Sequence, residues 1–183
     1  IRARLVGSEM CIRDSSYISM GAIFRQRRDD RRAREVYQNV EEMLEVEDAG
    51  VLISARLRLA DGFLEIGESE KAREHAMSVH DLSLELNEHQ LHARSRVILG
   101  RYYAKTKDSE LSLLHYNAAL ETFSEEANPT NAVETEMLLG QVLVDVGRTS
   151  EASEHYLDAL SIAEANDFRL CLLYTSDAAD EGV

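Results

Sequence analysis

The sequence predicts an all-α chain, a right-handed α-solenoid of about four stacked antiparallel helix pairs. The first observation behind it is an internal repeat. Met20-Gly21, Leu59-Ala60, Leu99-Gly100 and Leu139-Gly140 place a small residue after a hydrophobic one at steps of 39, 40 and 40 residues. Self-similarity at a fixed period of this size marks a repeat architecture. The second observation is that four further columns keep the same register. A bulky residue follows three places on (Phe24, Phe63, Tyr103, Leu143). Then come a small one (Ala33, Ala72, Ser112, Ala152), a third column (Tyr37, Ala76, Tyr116, Tyr156), and Val40, Val79, Ala119 and Ala159. The third observation is spacing. Within each unit the apolar residues recur at three and four, the period of one helix face and not of a strand. A single proline among 183 residues leaves such helices uninterrupted.

In chain order, a first helix is expected over about 16–28. Asp29-Asp30 opens a second, with Ala33, Val36, Tyr37, Val40 and Leu44 on one face, reaching about Val46. A turn is expected around Asp48-Ala49-Gly50. Val51–Ile66 is the third helix, stopped by Gly67, which takes a left-handed conformation at no steric cost. Ser69 starts the fourth. The third pair is expected at about 90–105 and 109–125, the fourth at about 132–146 and 150–166 after Pro129. Asp30, Ser69, Ser109 and Thr149 form a polar column at the start of each second helix and are read as N-caps.

The repeat domain is therefore placed at 16–166, with pairs at 16–47, 50–87, 90–126 and 131–166. Residues 1–15 and the end of the chain carry none of the columns. Both stretches resemble translated sequencing-adapter read-through, which sets aside 1–15, and 167–183 as a truncated helix start followed by the same kind of sequence. The two cysteines, Cys11 and Cys171, fall in those stretches, so no disulfide, zinc knuckle or cysteine nucleophile is expected in the repeat domain.

The columns resemble those of the tetratricopeptide repeat family. Leu139, Gly140, Ala152, Tyr156 and Ala159 carry the match best, and Leu99, Gly100, Tyr103, Tyr116 and Ala119 carry it in the third unit. The family period is usually 34; the period here implies longer helices. The early Trp and late Pro of the family pattern are absent. The resemblance implies a concave groove lined by the first helix of each pair, a protein or peptide ligand, and no catalysis.

Transferring the family's phase puts Arg94, Val97, Arg101 and Lys105 of the third unit in that groove. Arg94, Arg101 and Lys105 stand at i, i+7 and i+11, one helical face. The equivalent positions are Ser54, Leu57, Asp61 and Glu65 in the second unit and Glu134, Met137, Gln141 and Asp145 in the fourth. Two readings of the basic strip compete. It holds a carboxylate of a bound peptide, or its cations pair internally, Arg101 with Asp61, Glu65 or Asp145. The asparagine of chaperone-binding clamps is missing from this column, which disfavours a chaperone-tail adaptor.

Other chemistries are weak. Net charge is −14, against a direct nucleic-acid binder. No run of apolar residues is long enough to cross a membrane. His75, His115 and His155 recur every 40 residues, but stacked pairs lie about 9–10 Å apart, too far for shared ligands at about 2 Å. No metal and no cofactor are expected. Neither a phosphate-binding glycine loop nor a nucleophile elbow is present. The expectation is a cytoplasmic, non-catalytic binding module cut from a larger regulatory or signalling protein, with an output domain covalently attached. A stand-alone scaffold or adaptor for complex assembly is the alternative, and an enzyme a distant third.

Overall fold

The structure, a computed structural model, describes residues 16–44 and 49–168. Every described element is a helix: α1 over 16–26, α2 Asp30–Leu44, α3 Ala49–Glu65, α4 Ser69–Glu85, α5 His89–Lys105, α6 Ser109–Glu125, α7 Pro129–Asp145 and α8 Thr149–Ala165. Consecutive helices pack on one another. In addition α5 packs against both α3 and α7, so the first helices of the pairs form a continuous inner layer. This is an α-solenoid of stacked antiparallel pairs. The terminal stretches with Cys11 and Cys171, and the end of the second helix beyond Leu44, lie outside the described residues.

A 20-residue half-period generates the 40-residue repeat. Each helix from α3 to α8 has 17 residues, about 25 Å at the α-helical rise. Three-residue turns join them. From Gly67 on, a residue with positive φ recurs every 20 positions: Gly67, Asn87, Lys107, Ala127, Gly147 and Asp167. The next residue donates its N–H back to the carbonyl five before it, as in Glu68 to Phe63 at 2.9 Å, Asp108 to Tyr103 at 2.9 Å and Arg148 to Leu143 at 2.8 Å. That six-to-one bond defines the Schellman motif, which satisfies carbonyls the helix end leaves free. The longer period thus comes from longer helices joined by one invariant turn.

That turn also corrects the cap column. The N-caps are Asp29, Glu68, Asp108 and Arg148, one residue before Asp30, Ser69, Ser109 and Thr149. Asp29 accepts from the Arg32 N–H at 3.2 Å and Asp108 from Leu111 at 3.1 Å. Adjacent polar residues made the phase ambiguous; the turn fixes it, because the residue closing one helix is the cap of the next. Likewise α7 begins at Pro129, not Ala132, with Asn128 accepting from the Asn131 N–H at 3.3 Å. Ala49 and Gly50 belong to α3 and not to a turn.

Five turns hold a side chain in the left-handed region that glycine would occupy freely: Arg28 at φ 58°, Asn87 at 54°, Lys107 at 66°, Ala127 at 50° and Asp167 at 54°. An L-residue there costs roughly 1–2 kcal/mol. Ala127→Gly relieves this, offset by the greater freedom of the unfolded chain. The expected net gain is about 0.5–1 kcal/mol, read as a higher urea midpoint; an unchanged or lower midpoint would show the turn is unstrained.

The core follows the columns. Gly21, Gly100 and Gly140 each lie beneath a tyrosine ring of their own pair, Tyr37, Tyr116 and Tyr156 respectively. A Cβ on Gly100 would stand 2.5 Å from Tyr116 Cε1, and one on Gly140 2.6 Å from Tyr156 Cε1. In the second pair the same two positions hold Ala60 and Ala76, both fully buried. Ser112, in the small column, donates its hydroxyl to the Gly100 carbonyl at 2.9 Å, so its oxygen is satisfied where it is buried.

Candidate functional site: the concave groove

The inner layer of α1, α3, α5 and α7 carries two clefts that share Asp61 and Arg94. The first, about 140 Å³, lies over α3, α5 and α7. Its floor is Leu57, Val97, Ile98 and Phe123, and its rim includes Arg94, Arg101, Asn131 and Glu134. The second, about 420 Å³, lies over α1, α3 and α5 and is lined by Ile18, Ile23, Arg25, Tyr37, Arg58 and Gly62 beside the shared pair. Helical spacing makes both. Arg94, Val97 and Arg101 fall on one face of α5, as Leu57 and Asp61 do on α3.

Of the sequence-predicted site residues, Asp61, Arg94, Val97 and Arg101 come together here. Arg101 is engaged internally. Its Nη1 donates to Asp61 at 2.5 Å, and Nη2 pairs with Glu65. Burial works against its charge, but Asp61 and Glu65 outweigh it and raise the guanidinium pKa. Glu65 also meets Arg25 at 3.0 Å. Burial would raise its pKa, yet the hydrogen bond and charge of Arg101 lower it. Lys105 donates to the Leu64 carbonyl at 2.5 Å. Internal pairing therefore accounts for two of the three cations of the basic strip. Arg94 is exposed and makes no ion pair or hydrogen bond among the described residues. Met137, Gln141 and Asp145 are exposed on α7 outside both clefts, with Gln141 donating to Asp145 at 3.1 Å.

The sequence reasoning did not single out Arg58, which donates to Ser19 at 3.1 Å, or Asn131. Arg58 lies three residues before Asp61 and one after Leu57. Extending the groove face from a single stripe to its flanks would have found it.

The histidine column has a different explanation. His75 stacks on Phe63, with ring centroids 5.7 Å apart, and His115 on Tyr103 at 5.3 Å. His75 also meets Glu41 at 3.0 Å and His155 meets Glu136 at 2.6 Å. His75 and His115 thus lie over the bulky column of the preceding helix. No three metal-ligating side chains cluster among the described residues.

A second histidine group lies where α4, α5 and α6 meet. The His80 and His92 rings are 4.4 Å apart, and His92 Nε2 and His115 Nδ1 are buried without a partner. Burial first, then the charges of His80, Arg96 and His89, push His92 down to about 4 from 6.5. Burial first, then Arg96 and His80, also lowers His115. Asp81 faces His80 at 3.3 Å. A histidine held neutral by the fold binds fewer protons than in the unfolded chain between these values. Its stabilisation is present above pH about 6.5 and is lost as pH falls toward about 4. The urea midpoint is expected to fall across that window, and less steeply in His92→Gln. Parallel pH profiles would place the loss elsewhere.

Fold and groove together define a helical-repeat protein with a ligand-sized inner surface. Residues 137–166 match the tetratricopeptide repeat family model, so the unit that includes α8 is a tetratricopeptide repeat. No curated protein sequence matches the chain. Several solved structures share its fold, three of them as follows. Aspartyl phosphate phosphatase F from Bacillus subtilis is 14% identical with a TM-score of 0.70, the match covering 86% of this chain and 42% of that one. A Rap protein complexed with Competence and Sporulation Factor is 19% identical with a TM-score of 0.73, covering 82% of this chain and 43% of that one. BtubC from P. vanneervenii is 18% identical with a TM-score of 0.53, covering 91% of this chain and 87% of that one. The chain thus spans less than half the length of the first two. At these identities the likeness is one of fold. No described helix is long and apolar enough to cross a membrane.

Proposed function

We propose that the chain is a non-catalytic protein- or peptide-binding module whose ligand lies along the concave face of α1, α3, α5 and α7. The observation that carries the reading is the cleft over α3, α5 and α7. It has an apolar floor of Leu57, Val97, Ile98 and Phe123, and polar groups on its rim. That combination, an apolar bed with a few directional polar groups, suits an extended peptide. The Rap structure complexed with a factor supports it by analogy of fold. The same likeness favours a regulatory or signalling arm of a longer cytoplasmic protein, with an output domain attached. BtubC, matched over 87% of its length, supports the second reading, a stand-alone scaffold.

Peptides selected from a random display library, titrated into labelled protein, test the reading. Shift changes are expected to cluster on the amides of Leu57, Arg94, Val97 and Glu134. Changes confined to the outward faces of α4, α6 and α8 would move the site off the groove.

A further inference from the structure

We infer that the cleft over α1, α3 and α5 recognises the acidic side chains of an extended peptide, through Arg58 and Arg94. The inference rests on the reading of the groove as a peptide site.

Its ground is the distribution of charge. The chain carries a net charge of −14. Yet the side chains lining this cleft include three guanidiniums, Arg25, Arg58 and Arg94, against one carboxylate, Asp61. That carboxylate is engaged by Arg101, and Arg25 by Glu65. Among the described residues Arg94 has no partner, and Arg58 meets the uncharged Ser19 hydroxyl. Two cations on adjacent inner helices thus face one cleft without a carboxylate neutralising either. Arg, unlike Lys, offers a planar fork that takes a carboxylate with two parallel hydrogen bonds.

The other end of the groove has the opposite sign. Glu134 lines the neighbouring cleft from α7, whose 17 residues include no Lys or Arg. The groove is therefore positive over α1–α5 and negative over α7, which sets a direction for the ligand. Its acidic residues lie over Arg58 and Arg94. An apolar side chain enters the Leu57–Val97–Phe123 cleft. Arg94 and Val97 are three residues apart on α5, about 4.5 Å along the axis, so the acidic and apolar residues of an extended ligand are one or two positions apart. The positive potential also attracts an acidic segment to a molecule that repels it elsewhere.

A random peptide library displayed with free N-termini and no free C-terminus separates side-chain carboxylates from a terminal one. Selection on the native chain is expected to enrich Asp and Glu next to an apolar residue. Selection on Arg58→Glu/Arg94→Glu is expected to lose that enrichment and favour Lys and Arg. A selected acidic peptide is expected to bind the Arg58→Gln/Arg94→Gln variant at least about tenfold more weakly, with affinity for the native chain falling as salt rises. Lys105→Gln, which removes a cation engaged with a backbone carbonyl, is expected to leave the acidic preference intact. Thermal melts of each variant verify folding. Selected peptides without acidic enrichment, or enrichment unchanged in the Arg58/Arg94 variants, overturn this inference and leave the peptide site standing. Selection of no peptide at all overturns both.

Discussion

Tyr116→Ala is expected to destabilise the chain by about 3 kcal/mol, the largest effect of any single truncation considered. The ring is 1% exposed and forms a buried cluster with Leu139 and Val142 of the following pair, against which Val97, Leu113 and Leu120 pack. Burial pushes its hydroxyl up to about 12. In a solenoid each pair touches its neighbours alone, so a side chain shared by two pairs stabilises both the pair and the stack. The repeat supplies an internal control. Tyr156 occupies the same column 40 residues on but is 38% exposed among the described residues. Less area leaves water there, and Tyr156→Ala is expected to cost about 1 kcal/mol or less. Urea melts of the two variants measure the difference. Equal losses would show that the ring acts within its pair and not between pairs.

Gly100→Ala is expected to destabilise the native chain by about 1–2 kcal/mol and to stabilise the Tyr116→Ala chain. Two effects oppose each other. Alanine favours the helix interior by about 1 kcal/mol over glycine. Its methyl would stand 2.5 Å from the Tyr116 ring, and overpacking of a locked core costs about 1–3 kcal/mol. With the ring present the overlap wins; with the ring gone the helix preference is left. The Ala60–Ala76 positions of the second pair show that the fold accepts the double substitution. A double-mutant cycle measures the coupling, expected at about 2–3 kcal/mol. Additive effects would mean that the glycine is required for some other reason, such as a backbone approach.

Both predictions depend on columns visible in the primary structure, and the legible part of the fold is what those columns encode. Helix identity, pair order and the Gly–Tyr correspondence are set by residues close in sequence, at 3.6-residue spacing and a fixed step of 16 between partners. The cap phase was misjudged by one residue at Asp30, Ser69, Ser109 and Thr149. Asp29-Asp30 and Asp108-Ser109 each offer two capping oxygens in succession, and propensity alone does not choose between them. The turn geometry chooses.

The groove was legible as a face but not as a charge pattern. Arg94, Arg101 and Lys105 are equivalent by spacing on α5, and spacing says nothing of what α3 presents opposite each. Arg101 meets Asp61 forty residues away; Arg94, two turns earlier, meets no carboxylate among the described residues. Arg58 and Arg25 entered the site for the same reason, from helices whose rotation decides which flank faces inward. The sequence by itself determined the repeat, the helices and the buried columns, because those follow from local periodicity and the need of each pair to cover its apolar face. The tertiary structure alone decided which cations are neutralised and which remain for a ligand. Ion pairs form over a few ångströms, and those distances depend on how stacked helices are rotated and shifted against one another.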